Sequence, residues 1–302
     1  MTDFDIRRIA VLGSGIMGSG IAQVAALGGF RTALYDVDAA ALAKNVEKIH
    51  ASVRKGVEKG KTDPARAARA AELLTSTADL AVALADVDFV IEAAPEKLDL
   101  KKALFAECER RTRPDVVLAS NTSSLMISAI AEGVSDPTRV IGMHFFNPVP
   151  VMRLIEIVLG PKTSDVALAR TEFVSRRMEK ETVRVKEAPG FATSRINALI
   201  GNEAFRMLES GIASAEDIDK ALKLGLNHPM GPFEMADLVG LDTRLSTLRY
   251  LHSTLGETYR PSPIIERLVA EGRLGRKVGK GVYDYDAKGE RVPGSGAGFV
   301  AR

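Results

Sequence analysis

The first half of the chain alternates short apolar runs with longer stretches in which apolar residues recur at helical spacing. The apolar runs predict β-strands at residues 8–12, 32–35, 87–91, 116–119, 140–143, 154–158 and 182–185. Helices are predicted between them, at residues 17–27, 39–59, 98–111, 125–131 and 165–178. A charged stretch over residues 44–69 predicts two solvated helices joined at Asp63-Pro64. Strands that alternate with helices build a mostly parallel sheet covered on both faces.

The pattern changes after Lys186. Pro189-Gly190 interrupts the chain, and the residues that follow have little strand character. Helices are predicted at residues 192–208, 214–224, 233–255 and 262–270. A block of strands followed by a block of helices indicates two domains. We therefore predict an α/β domain over residues 1–187 and an all-α domain over residues 188–302.

The composition narrows the class of protein. Hydrophobic residues make up 46% of the 302 residues and charged residues 26%, as in an ordinary soluble globular protein. A net charge of +2, without a polybasic stripe or zinc-finger spacing, predicts neither a nucleic-acid partner nor a metal site. No apolar run reaches the roughly 18 residues that span a membrane, and the acidic N-terminus is unlike a signal peptide. With a single cysteine, Cys108, no internal disulfide forms, and we expect a cytoplasmic protein.

Gly13-Ser-Gly-Ile-Met-Gly18 matches the pattern G-x-G-x-x-G. The pattern alone is weak, but here it follows a predicted strand, opens a predicted helix and precedes Asp36 by 18 residues. That context predicts a dinucleotide site, with the pyrophosphate at the helix N-terminus. Since no arginine lies beside Asp36 to accept a 2′-phosphate, the cofactor is predicted to be NAD rather than NADP. The residues expected to face it are Gly13, Ser14, Gly15, Ile16, Met17, Gly18 and Asp36.

His144 is the histidine best placed for chemistry. It follows the predicted strand at residues 140–143, and ligands of parallel sheets bind beyond the carboxyl ends of strands. Glu156 lies in an otherwise apolar run, where a carboxylate needs a partner. If the chain reverses around Pro150, the two side chains can face each other, and a carboxylate would fix the imidazole tautomer. The alternatives are a structural histidine and an exposed glutamate at a strand end.

Two more polar groups follow predicted strands. Asn121-Thr-Ser-Ser comes after the strand at residues 116–119, where it either caps the next helix or donates a hydrogen bond to a substrate oxygen. Glu96 and Lys101 begin the helix after the strand at residues 87–91. From the residues alone, both are interpreted as solvated helix residues.

Several of these segments together resemble the 3-hydroxyacyl-CoA dehydrogenase family, most of all its bacterial 3-hydroxybutyryl-CoA members. The resemblance covers the chain from about residue 6 to residue 287, with motif order and spacing kept. The histidine-centred motif is highly specific, whereas the glycine motif is not. The segments that carry it are Gly13–Gly18, Ser120-Asn-Thr-Ser-Ser, His144-Phe-Phe-Asn-Pro-Val-Pro-Val-Met, Leu154-Ile-Glu, Glu187-Ala-Pro-Gly-Phe and Leu226-Asn-His-Pro-Met-Gly-Pro.

The resemblance implies a Rossmann-like N-terminal domain and an all-helical C-terminal domain through which two chains form a homodimer. By the same resemblance, His144 is the general acid/base and Glu156 its partner. Ser123 and Asn147 would contact the substrate and the nicotinamide.

Further roles come from the same resemblance. Glu96 and Lys101 would help to hold NAD, and Ser52 and Lys59, on the helix after the second strand, would contact coenzyme A. This turns a charged and otherwise unremarkable helix into part of the substrate site.

The chain departs from the family pattern after Pro189-Gly-Phe191, where the family usually has Asn-Arg and this chain has Ser194-Arg195. A serine has a shorter reach than an asparagine and a single hydroxyl. Asn197, three residues later on the same predicted helix, projects from nearly the same face. We therefore expect Ser194 or Asn197 to position the substrate, or the contact to be dispensable here.

These observations predict an NAD-dependent enzyme that interconverts (S)-3-hydroxyacyl-CoA, with 3-hydroxybutyryl-CoA as the first candidate, and 3-oxoacyl-CoA. Two alternatives remain from the sequence. One is a related dehydrogenase of a free hydroxy acid or sugar acid, and the other is a non-catalytic NAD-binding protein.

Overall fold

One eight-stranded sheet runs through the N-terminal part of the chain. The structure is a computed structural model and describes residues 4–296. It divides into two units, the first ending at Ala188 and the second beginning at Pro189. The strands of the first unit are β1 (Arg8–Leu12), β2 (Arg31–Tyr35), β3 (Leu74–Thr77), β4 (Phe89–Glu92), β5 (Val117–Ser120), β6 (Val140–Phe145), β7 (Leu154–Leu159) and β8 (Glu181–Lys186).

The strand order in the sheet is β3-β2-β1-β4-β5-β6-β7-β8. All neighbouring strands run parallel except β6 and β7, which pair antiparallel. The carboxyl ends of β1, β4, β5 and β6 and the amino end of β7 therefore meet at one edge of the sheet. The glycine motif and all the polar groups predicted to follow strands lie at this edge.

Seven α-helices lie between the strands in the described part of this unit. They are α1 (Ile16–Leu27), α2 (Ala39–Glu58), α3 (Pro64–Leu73), α4 (Leu80–Ala83), α5 (Leu98–Arg111), α6 (Ile127–Ala131) and α7 (Asp165–Arg177). The central strands are buried on both faces, as their continuous apolar sequences require. The predicted α/β class, with its mostly parallel sheet, is confirmed.

The second unit is helical. Its helices are α8 (Thr193–Glu209), α9 (Ala215–Gly225), α10 (Pro232–Val239), α11 (Leu241–Leu255) and α12 (Pro263–Ala270). They enclose a separate apolar core that includes Phe205, Phe233 and Tyr283.

Three details differ from the sequence prediction. The strand β3 and the short helix α4 were not predicted, and the single helix predicted at residues 233–255 is two helices. The break falls at Gly240, whose φ of +103° lies outside the range that other residues adopt easily. Among the described residues, no helix has both the length and the apolar character needed to cross a bilayer.

Candidate active site

The glycine motif forms the turn between β1 and α1. Gly13 has φ +106°, and a Cβ there would lie 2.6 Å from the carbonyl oxygen of Ala93. A Cβ on Gly18 would lie 1.7 Å from the carbonyl oxygen of Gly13, so the helix packs directly on the turn. Around Gly15, by contrast, a Cβ would meet no heavy atom of the described residues within 4 Å beyond its chain neighbours. The backbone at Gly15 is therefore open to a ligand.

The start of α1 suits a pyrophosphate. Its first turn contains no acidic residue, and its first residues, Ile16 and Met17, present backbone N–H groups that no side chain caps. Ser14 is buried, and its carbonyl oxygen accepts a hydrogen bond from Ser19 Oγ at 2.6 Å. The turn thus offers N–H groups and the positive end of the helix dipole, which fits a dinucleotide cofactor.

Asp36 closes the same turn from the end of β2. Its Oδ2 accepts a hydrogen bond from the Ser14 N–H at 2.7 Å and its Oδ1 accepts one from the Asp38 N–H at 3.1 Å. Partial burial opposes ionisation of this carboxyl, but these hydrogen bonds outweigh it and hold its pKa below the usual value. A carboxylate has about four acceptor sites, so Asp36 retains capacity for the ribose hydroxyls.

His144 and Glu156 face each other across the antiparallel pair β6–β7, where they are register partners. His144 Nδ1 lies 2.7 Å from Glu156 Oε2, and the two residues are 7% and 0% exposed. The ring of Phe146 packs against the imidazole with 4.6 Å between centroids. The predicted reversal of the chain around Pro150 is therefore confirmed, and Glu156 is not the exposed strand-end residue of the alternative interpretation. A carboxylate at this distance from Nδ1 favours the tautomer in which Nδ1 carries the proton and donates it to Glu156.

Asn121 links the ends of β5 and β6. Its Oδ1 accepts a hydrogen bond from the Phe145 N–H at 2.9 Å. The next residue, Thr122, is buried, and its Oγ1 accepts a hydrogen bond from the Leu125 N–H at 2.9 Å. The side chains of this segment therefore stabilise the loop after β5. They do not cap α6, which begins at Ile127 without a side-chain cap.

Glu96 holds the loop that carries Ser123. Its Oε1 accepts hydrogen bonds from Thr122 Oγ1 at 2.6 Å, Ser123 N–H at 3.0 Å and Ser124 N–H at 3.2 Å. Burial opposes ionisation of Glu96, but Lys101 and these hydrogen bonds bring its pKa below the usual value. The Ser123 side chain is exposed, and its hydroxyl makes no hydrogen bond with residues 4–296. The loop is thus fixed by its backbone and presents a hydroxyl to solvent.

Lys101 is not a solvated helix residue, and that default interpretation is wrong. It is 0% exposed, and its Nζ lies 2.6 Å from Glu92 Oε1, 3.3 Å from the Ala94 carbonyl oxygen and 3.4 Å from Glu96 Oε2. Because an ammonium has three N–H donors, these acceptors use its full capacity. Lys101 therefore supports the loop of Ser123 through its ion pair with Glu96. Glu92, also 0% exposed, was missed in the sequence because it is the last residue of β4 and its neighbours are apolar.

Asn147 is exposed on the loop between β6 and β7. The loop is anchored by Val149, which is 2% exposed and packs over Gly20 of α1. Lys180, the residue before β8, donates hydrogen bonds from Nζ to the carbonyl oxygens of Val149 at 2.6 Å and Met152 at 2.7 Å. Lys180 is another residue that the sequence did not single out.

Ser52 and Lys59 are exposed at the C-terminal end of α2. They are seven residues apart, close to two helical turns, and share a face with Asn45 one further heptad back. Asn45 Nδ2 donates a hydrogen bond to the Ser14 carbonyl oxygen at 2.8 Å. The face that carries Ser52 and Lys59 is therefore the face that meets the glycine turn.

Ser194 and Asn197 belong to the C-terminal unit. Both are partly exposed and lie one turn apart on the same face of α8, as their spacing predicts.

Comparisons with known proteins show the family of this chain. Residues 8–188 match the model of the 3-hydroxyacyl-CoA dehydrogenase NAD-binding domain, and residues 190–285 match that of the family's C-terminal domain. A probable 3-hydroxyacyl-CoA dehydrogenase of Caenorhabditis elegans is 43% identical over 93% of this chain and 96% of that protein. A probable 3-hydroxybutyryl-CoA dehydrogenase of Bacillus subtilis is 42% identical over 94% of this chain and 99% of that protein.

A solved structure is similar over the same residues. The crystal structure of (S)-3-hydroxybutyryl-CoA dehydrogenase PaaH1 from Ralstonia eutropha superposes with a TM-score of 0.90 at 41% identity, over 93% of this chain and all of that one. The resemblance inferred from the sequence motifs is confirmed. This chain belongs to the 3-hydroxyacyl-CoA dehydrogenase family, and its N-terminal unit is the family's NAD-binding domain.

Proposed function

We propose that this protein interconverts (S)-3-hydroxybutyryl-CoA and acetoacetyl-CoA with NAD, and that His144 is the general acid/base. The observation that carries the proposal is the buried His144–Glu156 pair, 2.7 Å apart, at the sheet edge that also holds the glycine turn. The relatives from Bacillus subtilis and Ralstonia eutropha are both named for the substrate 3-hydroxybutyryl-CoA.

In the oxidation direction, His144 Nε2 takes the proton of the C3 hydroxyl. The imidazolium that forms is stabilised by Glu156, which is buried and already hydrogen-bonded to Nδ1. The bound NAD supplies the hydride acceptor. A positioned base of this kind contributes roughly 10²–10⁴-fold to the rate.

Ser123 and Asn147 orient the reacting oxygen. Both side chains are exposed, and both lie on loops whose backbones are fixed, one by Glu96 and the other by Lys180. A hydroxyl and an amide are suited to donate hydrogen bonds to the C3 oxygen as it becomes a carbonyl.

Binding of the two large ligands is assigned as follows. Gly13–Gly18 and Asp36 hold NAD, with Glu96 in place at the next strand end and Lys101 behind it. Ser52 and Lys59 contact coenzyme A, and Ser194 or Asn197 positions the acyl part. Two chains associate through their C-terminal units, and the enzyme works in the cytoplasm.

The test is a comparison of thioester and free acid. Acetoacetyl-CoA should oxidise NADH in the presence of the wild-type protein, whereas free acetoacetate should react far more slowly, since it lacks the coenzyme A contacts. His144→Gln is the matched control for contaminating activity. Absence of turnover with acyl-CoA substrates of any chain length would overturn the proposal.

A further inference from the structure

Lys180 is a buried cation that belongs to no ion pair at 4.0 Å or less among residues 4–296. It is 8% exposed, and burial lowers the pKa of its ammonium. A buried ammonium is costly unless its N–H groups are satisfied. Here two of them are satisfied by backbone carbonyls of a single loop, at 2.6 and 2.7 Å. The buried ammonium of Lys180 therefore holds that loop.

The loop connects the two strands of the His144–Glu156 pair. It spans residues 146–153, between the end of β6 and the start of β7, and it carries Asn147. Its turn is closed by hydrogen bonds from the N–H groups of Val151 and Met152 to the Pro148 carbonyl oxygen, at 2.9 and 3.0 Å. The two carbonyls held by Lys180 belong to Val149 and Met152, which are both part of that turn.

A second contact fixes the loop against α1. Val149 packs so closely on Gly20 that a Cβ added to Gly20 would lie 2.8 Å from Val149 Cβ. The loop is therefore held from two directions, by Lys180 from the β8 side and by Gly20 from the side of the glycine turn.

We infer that Lys180 is a positioning residue for the reaction: it fixes the loop that presents Asn147 beside His144. Lys180 itself donates to protein carbonyls and needs no contact with either substrate. The inference rests on the proposed role of Asn147, since a loop without a part in the reaction would need no such precision. Hydrogen bonds from charged donors are roughly twice as strong as those between neutral groups, and two of them favour one conformation of this loop over others.

The experiment compares Lys180→Met with wild type. Methionine keeps an unbranched side chain and removes the charge and the donors. We expect kcat with acetoacetyl-CoA to fall at least about tenfold, the equivalent of one such hydrogen bond, while the Kd for NADH is retained. Hydrogen exchange at the Val151 and Met152 amides should accelerate, and Lys180→Arg, which keeps donors and charge, should recover part of kcat.

Two controls separate positioning from stability. Lys186→Met removes an exposed lysine at the end of β8 and should behave as wild type. Thr171→Val removes a buried hydrogen bond to the Ala167 carbonyl oxygen in α7, far from the loop in sequence, and should lower stability without lowering kcat.

A second variant covers the case in which Lys180→Met does not fold. Gly20→Ala pushes Val149 away without touching Lys180, and it should produce the same loss of kcat and faster exchange at Val151 and Met152. The inference is overturned if Lys180→Met, or Gly20→Ala in its place, keeps wild-type kcat. It is also overturned if Thr171→Val, at a comparable loss of stability, lowers kcat as much as Lys180→Met does. Turnover of acetoacetyl-CoA by the wild-type protein tests the proposed function separately.

Discussion

Among single residues, the most consequential placement is that of His144 in the one antiparallel strand pair of the sheet. Register partners on neighbouring antiparallel strands bring their side chains within contact distance. A parallel neighbour would need a crossover between the two residues, whereas here 12 positions separate His144 from Glu156. The reversal thus lets a short segment supply both members of the pair and the loop with Asn147.

His144→Gln tests this placement directly. Glutamine fills much of the same space but cannot take a proton at neutral pH, so we expect kcat to fall roughly 10²–10⁴-fold. The Kd for NADH should not change, because the glycine turn is untouched. A variant within a few-fold of wild-type activity would exclude His144 as the base.

Arg244, on α11, is a buried charged residue that we expect to lower the stability of the fold. It is 4% exposed, and its Nε has no hydrogen-bond partner among the residues described. Burial lowers the pKa of its guanidinium to about 10, so the group is still charged at neutral pH. Its Nε lies 3.9 Å from the position of a Cβ on Gly201 of α8, and the absence of a side chain there gives the arginine room.

Arg244→Met should therefore raise the free energy of unfolding, by at least about 1 kcal/mol, because it removes a buried charge and keeps the apolar stem. Urea denaturation measures this change. Arg249, on the same helix, is exposed and paired with Glu266. Arg249→Met should therefore change the free energy of unfolding by less than about 1 kcal/mol. If Arg244→Met were destabilising, the guanidinium would have an acceptor that outweighs its burial.

For whole elements, the sequence predicts strands best where burial is complete. The runs that became β1, β4, β5 and β6 are apolar on both faces, so no alternation is needed to recognise them. β3 has the sequence Leu-Thr-Ser-Thr at the edge of the sheet and is only partly buried, so its apolar signal is weak. Its parallel pairing with β2 stabilises it, and that contact is not local in sequence.

Helix boundaries and charged helix residues are less predictable. The apolar periodicity continues from α10 into α11, and only the conformation of Gly240 ends one and begins the other. Lys101 lies in a stretch with two further lysines and several acids, a pattern typical of a solvated helix. It is buried because β4 ends in Glu92, and that pairing depends on how the helix packs rather than on the local sequence.

The pair formed by β4 and α5 gives a test of this packing. Lys101→Met leaves Glu92 buried without its cation and should destabilise the protein by about 3–5 kcal/mol. The double variant Glu92→Gln/Lys101→Met removes both charges and should recover most of this loss, because the amide oxygen of the introduced glutamine can still accept from the Ala94 N–H. Urea unfolding of the single and double variants gives the comparison.

Activity should not recover with stability in the double variant. Glu96 would lack the Lys101 cation that favours its ionised form, so its hold on the Ser123 loop would weaken. A double variant that regains both stability and kcat would show that Lys101 serves packing alone.

Across the whole molecule, two buried carboxyls of the C-terminal unit differ from several carboxyls of the N-terminal unit in the direction of their pKa shift. In the N-terminal unit, burial opposes ionisation of Asp36, Asp88 and Glu96, but hydrogen bonds and nearby cations outweigh it and their pKa values are lowered. For Asp219 and Asp237 in the C-terminal unit, burial dominates: it raises the pKa of Asp219 to about 6 and raises that of Asp237.

The buried carboxyls of the C-terminal unit connect its helices to its last turns. Asp219, on α9, accepts hydrogen bonds from the Phe233 N–H at 2.8 Å and the Tyr283 hydroxyl at 2.8 Å. Asp237, on α10, accepts from the N–H groups of Val282 and Tyr283 at 2.8 and 2.9 Å. Protonation of Asp219 lowers the cost of its burial while an acceptor oxygen remains for the backbone.

The sign of the pH dependence follows from the raised pKa. The folded C-terminal unit holds the Asp219 proton up to about pH 6, whereas the unfolded chain releases it near pH 3.9. Stability from this group is therefore fully present at low pH and is lost as the pH rises through about 6. Between pH 7 and pH 5 the gain amounts to about 1 kcal/mol. The lowered carboxyl pKa values of either unit have no effect in this window, because their unfolded values lie below it.

Hydrogen exchange at the Phe233 and Val282 amides, corrected for intrinsic rates, measures this gain, since both amides donate to the buried carboxyls. We expect the free energy of opening to rise by about 1 kcal/mol from pH 7 to pH 5 in the wild-type protein. Asp219→Asn should lack the part of that rise due to Asp219. The rest of the chain is the same in both proteins, so the difference between them isolates Asp219. An equal rise in wild type and variant would mean that Asp219 is ionised throughout this range and that its hydrogen bonds outweigh its burial.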